Sequence, residues 1–228
     1  SDVHTYHAFA QKVEAFNRAH SQPRLYVVCG TVPMDEVASR RMLQRVDSLT
    51  TVVGTTKGQH ELAAALVQKA VAETVVQNYE GAISDLEASL DIDSTSVIAL
   101  WQRAYCQTMM NEFDTQSRNA KADATTASLK SARIVADLGL AIQADKDNQY
   151  LYYNRGCAYM AERDYTHAID DFTRAINIDH SLAEAYYNRG LARVQNGLKT
   201  EGIADLSKAG ELGLYQAYSV IKKISKSN

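Results

Sequence analysis

The chain repeats itself. Tyr-Tyr-Asn-Arg-Gly stands at 152–156 and again at 186–190, an offset of 34 residues. The same step carries Ile169 onto Ile203, Asp171-Phe172 onto Asp205-Leu206 and Ala175 onto Ala209. A further copy fits at 63–96, where Ala70, Tyr79, Ala82, Leu86 and Leu90 match Gly156, Tyr165, Ala168, Phe172 and Ile176. Another opens at 97 with Leu100 and Ala104. Its second half resumes at Ile134, Leu138 and Ala141, after 18 extra residues. A unit of this size cannot bury its own apolar face, so copies must stack to build a shared core. The repeat restricts the chain to a solenoid-like array.

Proline usage says what the units are made of. Pro23 and Pro33 are the two prolines, and none follows to Asn228. Proline breaks helix interiors, so its absence suits an all-α array. Each copy holds two amphipathic stretches, with small residues where paired helices would cross and larger apolar residues between them. The spacing predicts helices at 59–77, 80–92, 96–112, 123–143, 148–162, 165–177, 182–196 and 199–211. A last stretch, 214–224, aligns Tyr215, Tyr218 and Ile221 or Ile224 before turning basic at Lys222, Lys223 and Lys226. It reads as a helix capping the array.

A period of 34 with small residues at the eighth, twentieth and twenty-seventh places resembles the tetratricopeptide repeat (TPR), most clearly in Tyr152, Gly156, Tyr159, Ala168, Phe172 and Ala175. Departures are visible: Ser94 and His180 stand where that pattern prefers Pro, Arg193 replaces an aromatic, and Gly202 replaces Ala. The resemblance implies an all-α, α-α superhelix. Four repeats fall at 63–96, 97–148 (with an insertion at 114–131), 149–182 and 183–213. A helical lead-in occupies 1–62, and the capping helix and basic tail occupy 214–228.

A second regularity runs through the copies. The seventh place is basic, at Lys69, Arg103, Arg155 and Arg189, and the twenty-third is Asp, at Asp85, Asp137, Asp171 and Asp205. In a helical hairpin these places can face one another, so they are expected to form structural ion pairs. The flanks follow other rules. Tyr6, Phe9, Ala10, Val13 and Phe16 give a helical stripe over about 2–20, and Pro23 to Gly30 reads as a short extended segment. A helix is predicted to start at Pro33 and Asp35, run to about 52, and break at Gly54 to Gly58. Within the insertion, 114–122 is the expected loop, and the remainder lengthens the following helix.

No catalytic constellation emerges. Cys29, Cys106 and Cys157 are too scattered for a disulfide framework or a zinc site and read as inert thiols. His4 and His7 read as solvated terminal histidines, without the further ligands a zinc site needs. Gly54-Thr-Thr-Lys57-Gly58 has phosphate-loop letters in the wrong order. Asp91, Asp93, Asp145 and Asp147 fall at equivalent helix ends, which repeat architecture explains. The expectation is no enzyme, no metal and no cofactor. A net charge of −3 argues against a general nucleic-acid binder, and no apolar run reaches the length that spans a bilayer.

What remains is a surface. In TPR proteins the first helix of each repeat lines a groove that receives a peptide or partner segment. By resemblance, the lining here includes Trp101, Tyr105, Met109, Tyr153, Asn154, Met160, Tyr187, Asn188 and Leu191. Aromatics would supply apolar area and the two asparagines would hold a partner's backbone. A chaperone-tail clamp is disfavoured, because Val67, Trp101, Tyr153 and Tyr187 occupy the places of its lysines. The leading expectation is therefore a non-catalytic protein-interaction module, and the alternative is a structural role by self-association as a homo-oligomer. The chain opens at Ser1 without Met, which predicts a piece of a longer protein. Pro23-Arg24-Leu25-Tyr26 and the ending Gly213 to Tyr218 resemble the C-terminal part of larger TPR proteins of Bacteroidetes-type bacteria, which implies export.

Overall fold

The structure, a computed structural model, describes residues 36–116 and 124–227. Those residues form ten helices and no strand. In chain order they are α1 (Glu36–Thr55), α2 (Gln59–Val75), α3 (Tyr79–Ile92), α4 (Val97–Gln116) and α5 (Ala124–Ala144). Then follow α6 (Gln149–Ala161), α7 (Tyr165–Ile178), α8 (Ala183–Gln195), α9 (Lys199–Glu211) and α10 (Gln216–Ser225). The chain divides into two compact units, the first ending at Ala144 and the second starting at Asp145. The expected helix at 2–20, the extended segment at 23–30, Cys29 and the histidines His4 and His7 lie outside the described residues.

Within each unit every helix packs on the next, and first helices also touch one repeat on, α2 with α4 and α6 with α8. The second unit shows how the sequence folds locally. Its hairpin turns place Arg163 (φ 62°) and Gly197 (φ 84°) in the left-handed region, and Gln77 (φ 63°) does the same in the first unit. Asn78 and Asp164 follow the turn and cap α3 and α7, accepting from the amides of Gly81 at 3.1 Å and His167 at 3.3 Å. Between repeats Asp93 and Asp179 accept from the amides of Thr95 and Ser181, at 3.1 and 2.9 Å. These side-chain turns do the work that proline would do at Ser94 and His180.

One departure acquires a packing reason. Ala82 and Ala168 are fully buried at their helix crossings. At the corresponding Gly202 a Cβ would lie 2.7 Å from the carbonyl oxygen of Gly190, so α8 and α9 approach too closely for alanine. The last helix lays Ala217, with Val220, Ile221 and Ile224, over Leu206 and Ala209, and Leu214 just before it joins the cluster. It caps its unit. Two boundaries differ from expectation. α1 runs through Gly54 to Thr55, so the break is confined to 56–58, and α4 continues past 112 to Gln116. Propagating a helix beyond its packed turns costs little where no proline intervenes.

Candidate functional site

The basic and acidic residues at the seventh and twenty-third places meet within each hairpin. Lys69 Nζ lies 3.3 Å from Asp85 Oδ2. The three arginines bind through two parallel hydrogen bonds. These are 2.8 and 2.6 Å from Arg103 to Asp137, 2.8 and 2.9 Å from Arg155 to Asp171, and 2.9 and 2.7 Å from Arg189 to Asp205. A planar guanidinium matches a carboxylate this way and an ammonium cannot. These bonds raise the pKa values of Arg103 and Arg155 above the ordinary arginine value, against the opposing effect of burial.

The residue one turn after each base, the place where Arg193 replaces an aromatic, is where the hairpins differ. In the last hairpin Arg193 adds a third bond to Asp205, at 2.8 Å. In the third, the Tyr159 ring stacks on His167 with centroids 5.1 Å apart. In the second, Gln107 has a covered Oε1 without a hydrogen bond among the described residues. In the first, Glu73 is 4% exposed and receives a bond from Asn78 Nδ2 at 3.3 Å. Burial, then a hydrogen bond shared with Asp85 and that residue's charge, push the Glu73 carboxyl up to about 8, while Lys69 pulls it down.

The proposed groove lining is redistributed by the packing. Trp101, Tyr105 and Tyr153 are 1–2% exposed, so they form core and offer no open apolar area. Tyr153 packs its ring on Phe172 at 5.7 Å, and its hydroxyl accepts from Asn188 Nδ2 at 2.8 Å. Tyr187 and Leu191 pack against the Leu206–Ala209–Ala217 cluster. Helical spacing identified the right face but not its depth: first helices bury that face against each other. Met109 and Met160 remain half-buried. Asn154 is different. It is buried, and neither its Nδ2 nor its Oδ1 has a hydrogen-bond partner among the described residues.

The described residues hold no grouping of three or more His, Cys, Asp or Glu fit for a metal, and no helix is long and apolar enough to cross a membrane. Cys106 is fully buried, and burial pushes its thiol up to about 11, which leaves it protonated and unreactive.

Comparison with known proteins agrees with this arrangement. Residues 156–197 match the TPR repeat family. Comparison with curated proteins gave no match. Among solved structures, a crystal structure of MamA superposes with a TM-score of 0.62 at 20% identity, covering 82% of this chain and 99% of that one. A second MamA crystal structure gives 0.63 at 16% identity, covering 92% and 93%. MamA 41-end from Desulfovibrio magneticus RS-1 gives 0.58 at 16%, covering 78% and 92%. At these identities the likeness establishes the fold: an all-α TPR solenoid.

Proposed function

We propose that the chain is a non-catalytic protein-interaction module, and that α6 and α8 of the second unit hold an extended partner segment through Asn154. The supporting observation is the Asn154 amide, which is buried with both hydrogen-bonding atoms unpartnered among the described residues. Such a group costs about 1–3 kcal/mol. An extended backbone offers a donor and an acceptor side by side and would relieve that cost once the side chains covering the amide move aside. Asn188 is already committed to the Tyr153 hydroxyl. The contact is polar, in place of the aromatic anchoring expected of Tyr153 and Tyr187.

The test is a peptide-display selection on the full chain, followed by titration of the selected peptide. Tyr153→Ala does not discriminate, because emptying a core site unfolds the unit. Asn154→Leu does: it conserves volume and removes the unmet amide. It should raise the urea midpoint by about 1–2 kcal/mol equivalent and weaken the peptide at least about tenfold. Unchanged peptide affinity would place the binding surface elsewhere.

A second reading, self-association, is favoured by the last helix region, where Tyr215 is 73% and Tyr218 47% exposed. Light scattering across a concentration series decides it, since a concentration-independent monomer excludes it.

A further inference from the structure

The insertion reshapes the first unit. α4 has 20 residues and α5 has 21, whereas α6 and α7 have 13 and 14. Met110 lies one residue beyond the counterpart of Ala161, where α6 ends. Lys130 lies one residue before the counterpart of Tyr165, where α7 begins. Both residues therefore come from the lengthened ends, and both line a cleft of about 270 Å³ between α3, α4 and α5.

The cleft separates its charges by helix. Glu80 and Glu87, two turns apart on α3, make one wall acidic. Lys130 and Arg133, one turn apart on α5, make another basic. Among the described residues no ion pair joins Glu80 or Glu87 to Arg133. Ile83 and Met110 supply apolar lining. Gln107 contributes the covered Oε1 that lacks a hydrogen bond among the described residues. A buried acceptor left unmet favours any ligand that brings a donor. A single ion would satisfy one wall and be repelled by the other. The volume falls just below the range of pockets for drug-sized ligands, which starts at about 300 Å³, so only a small ligand fits.

We propose that this cleft binds a small zwitterion of the amino-acid class. Its ammonium is held by Glu80, Glu87 and the Gln107 Oε1, its carboxylate by Arg133, and its apolar body lies on Ile83 and Met110. The site is independent of Asn154 and lies within the first unit.

Calorimetric titration of the full chain at low salt, with L-leucine, L-phenylalanine and L-arginine as probes, tests it. L-leucinamide and N-acetyl-L-leucine are the matched probes lacking one charge each. At least one free amino acid should bind saturably, and its amide and N-acetyl forms should bind about tenfold or more weakly. Arg133→Gln should erase the discrimination against the amide, and Glu87→Gln that against the N-acetyl form. Both side chains are exposed, so the fold survives, which circular dichroism checks. Asn154→Leu should leave this binding unchanged. No saturable binding by any probe, or binding indifferent to both charge changes, overturns the proposal.

Discussion

The last hairpin, α8–α9, surrounds its central carboxylate with cations, whereas the first, α2–α3, sets a second carboxyl beside it. Asp205 takes two bonds from Arg189 and one from Arg193. Asp85 has a single ammonium at 3.3 Å and, one turn along α2 from that lysine, the buried Glu73. Both hairpins keep the basic–Asp frame that the repeat specifies, yet their electrostatics are opposite. The frame sets register. The adjoining place sets how each hairpin responds to charge and pH.

The largest effect should come from removing the carboxylate of each frame. Asp205→Asn leaves two half-buried arginines without their anion, and an unpaired charge of that kind costs about 3–5 kcal/mol. Asp85→Asn removes the group that repels a Glu73 carboxylate. Glu73 is then free to ionise and pair with Lys69, so the loss should stay under about 1 kcal/mol. Urea unfolding reads both, with the single tryptophan, Trp101, for the first unit and circular dichroism for the whole chain, from which the tryptophan transition separates the second unit. Equal losses would break the comparison.

pH sharpens it. Glu73 in the folded chain titrates near 8, above the ordinary 4.5. The folded state therefore binds its proton where the unfolded state has released it. Stability from this group is complete below about 4.5 and is lost as pH rises through about 8. The groups facing it are Asp85 on α3, Lys69 on its own helix, Asn78 in the turn and, from α4, the Cys106 thiol. The Trp101 urea midpoint should fall from pH 5 to pH 8.5. Glu73→Gln, whose amide still donates to Asp85, should flatten that slope and gain about 1–2 kcal/mol at the upper end. An unchanged slope would show that Glu73 is ionised throughout.

How much of this was legible in the sequence follows from which residues speak through periodicity. Gly156, Ala168, Ala175 and the basic–Asp places recur, and recurrence in a solenoid reports stacking, so fold and frame were readable. Glu73, Gln107, Tyr159 and Arg193 do not resemble one another: the repeat pattern marked Tyr159 and Arg193 as one place, but not what each side chain there would meet. The aromatics failed for another reason. Trp101 and Tyr153 lie on the first-helix face that TPR proteins present to partners, but here neighbouring side chains close over them. Spacing gives direction around a helix, whereas depth depends on what packs against it. The cleft was invisible because it needs Glu80, Gln107 and Arg133 from three separate helices.

The turns extend the comparison at the smallest scale. Gln77 in the first hairpin and Gly197 in the last occupy the same left-handed place, with φ of 63° and 84°. An L side chain pays roughly 1–2 kcal/mol there through crowding between its Cβ and the following carbonyl, and glycine does not. Glycine gives back part of that gain through the greater freedom of its unfolded chain. Gln77→Gly should therefore stabilise the first unit by about 0.5–1 kcal/mol, read from Trp101. Gly197→Ala should destabilise the second by about 1 kcal/mol or slightly more, read by circular dichroism. A Cβ at Gly197 would meet nothing within 4 Å, so its cost reports the backbone alone. Opposite signs at the two turns are the expected outcome. Matching signs would mean that one of the hairpins does not close through a left-handed residue, and the register relating the two would have to be redrawn.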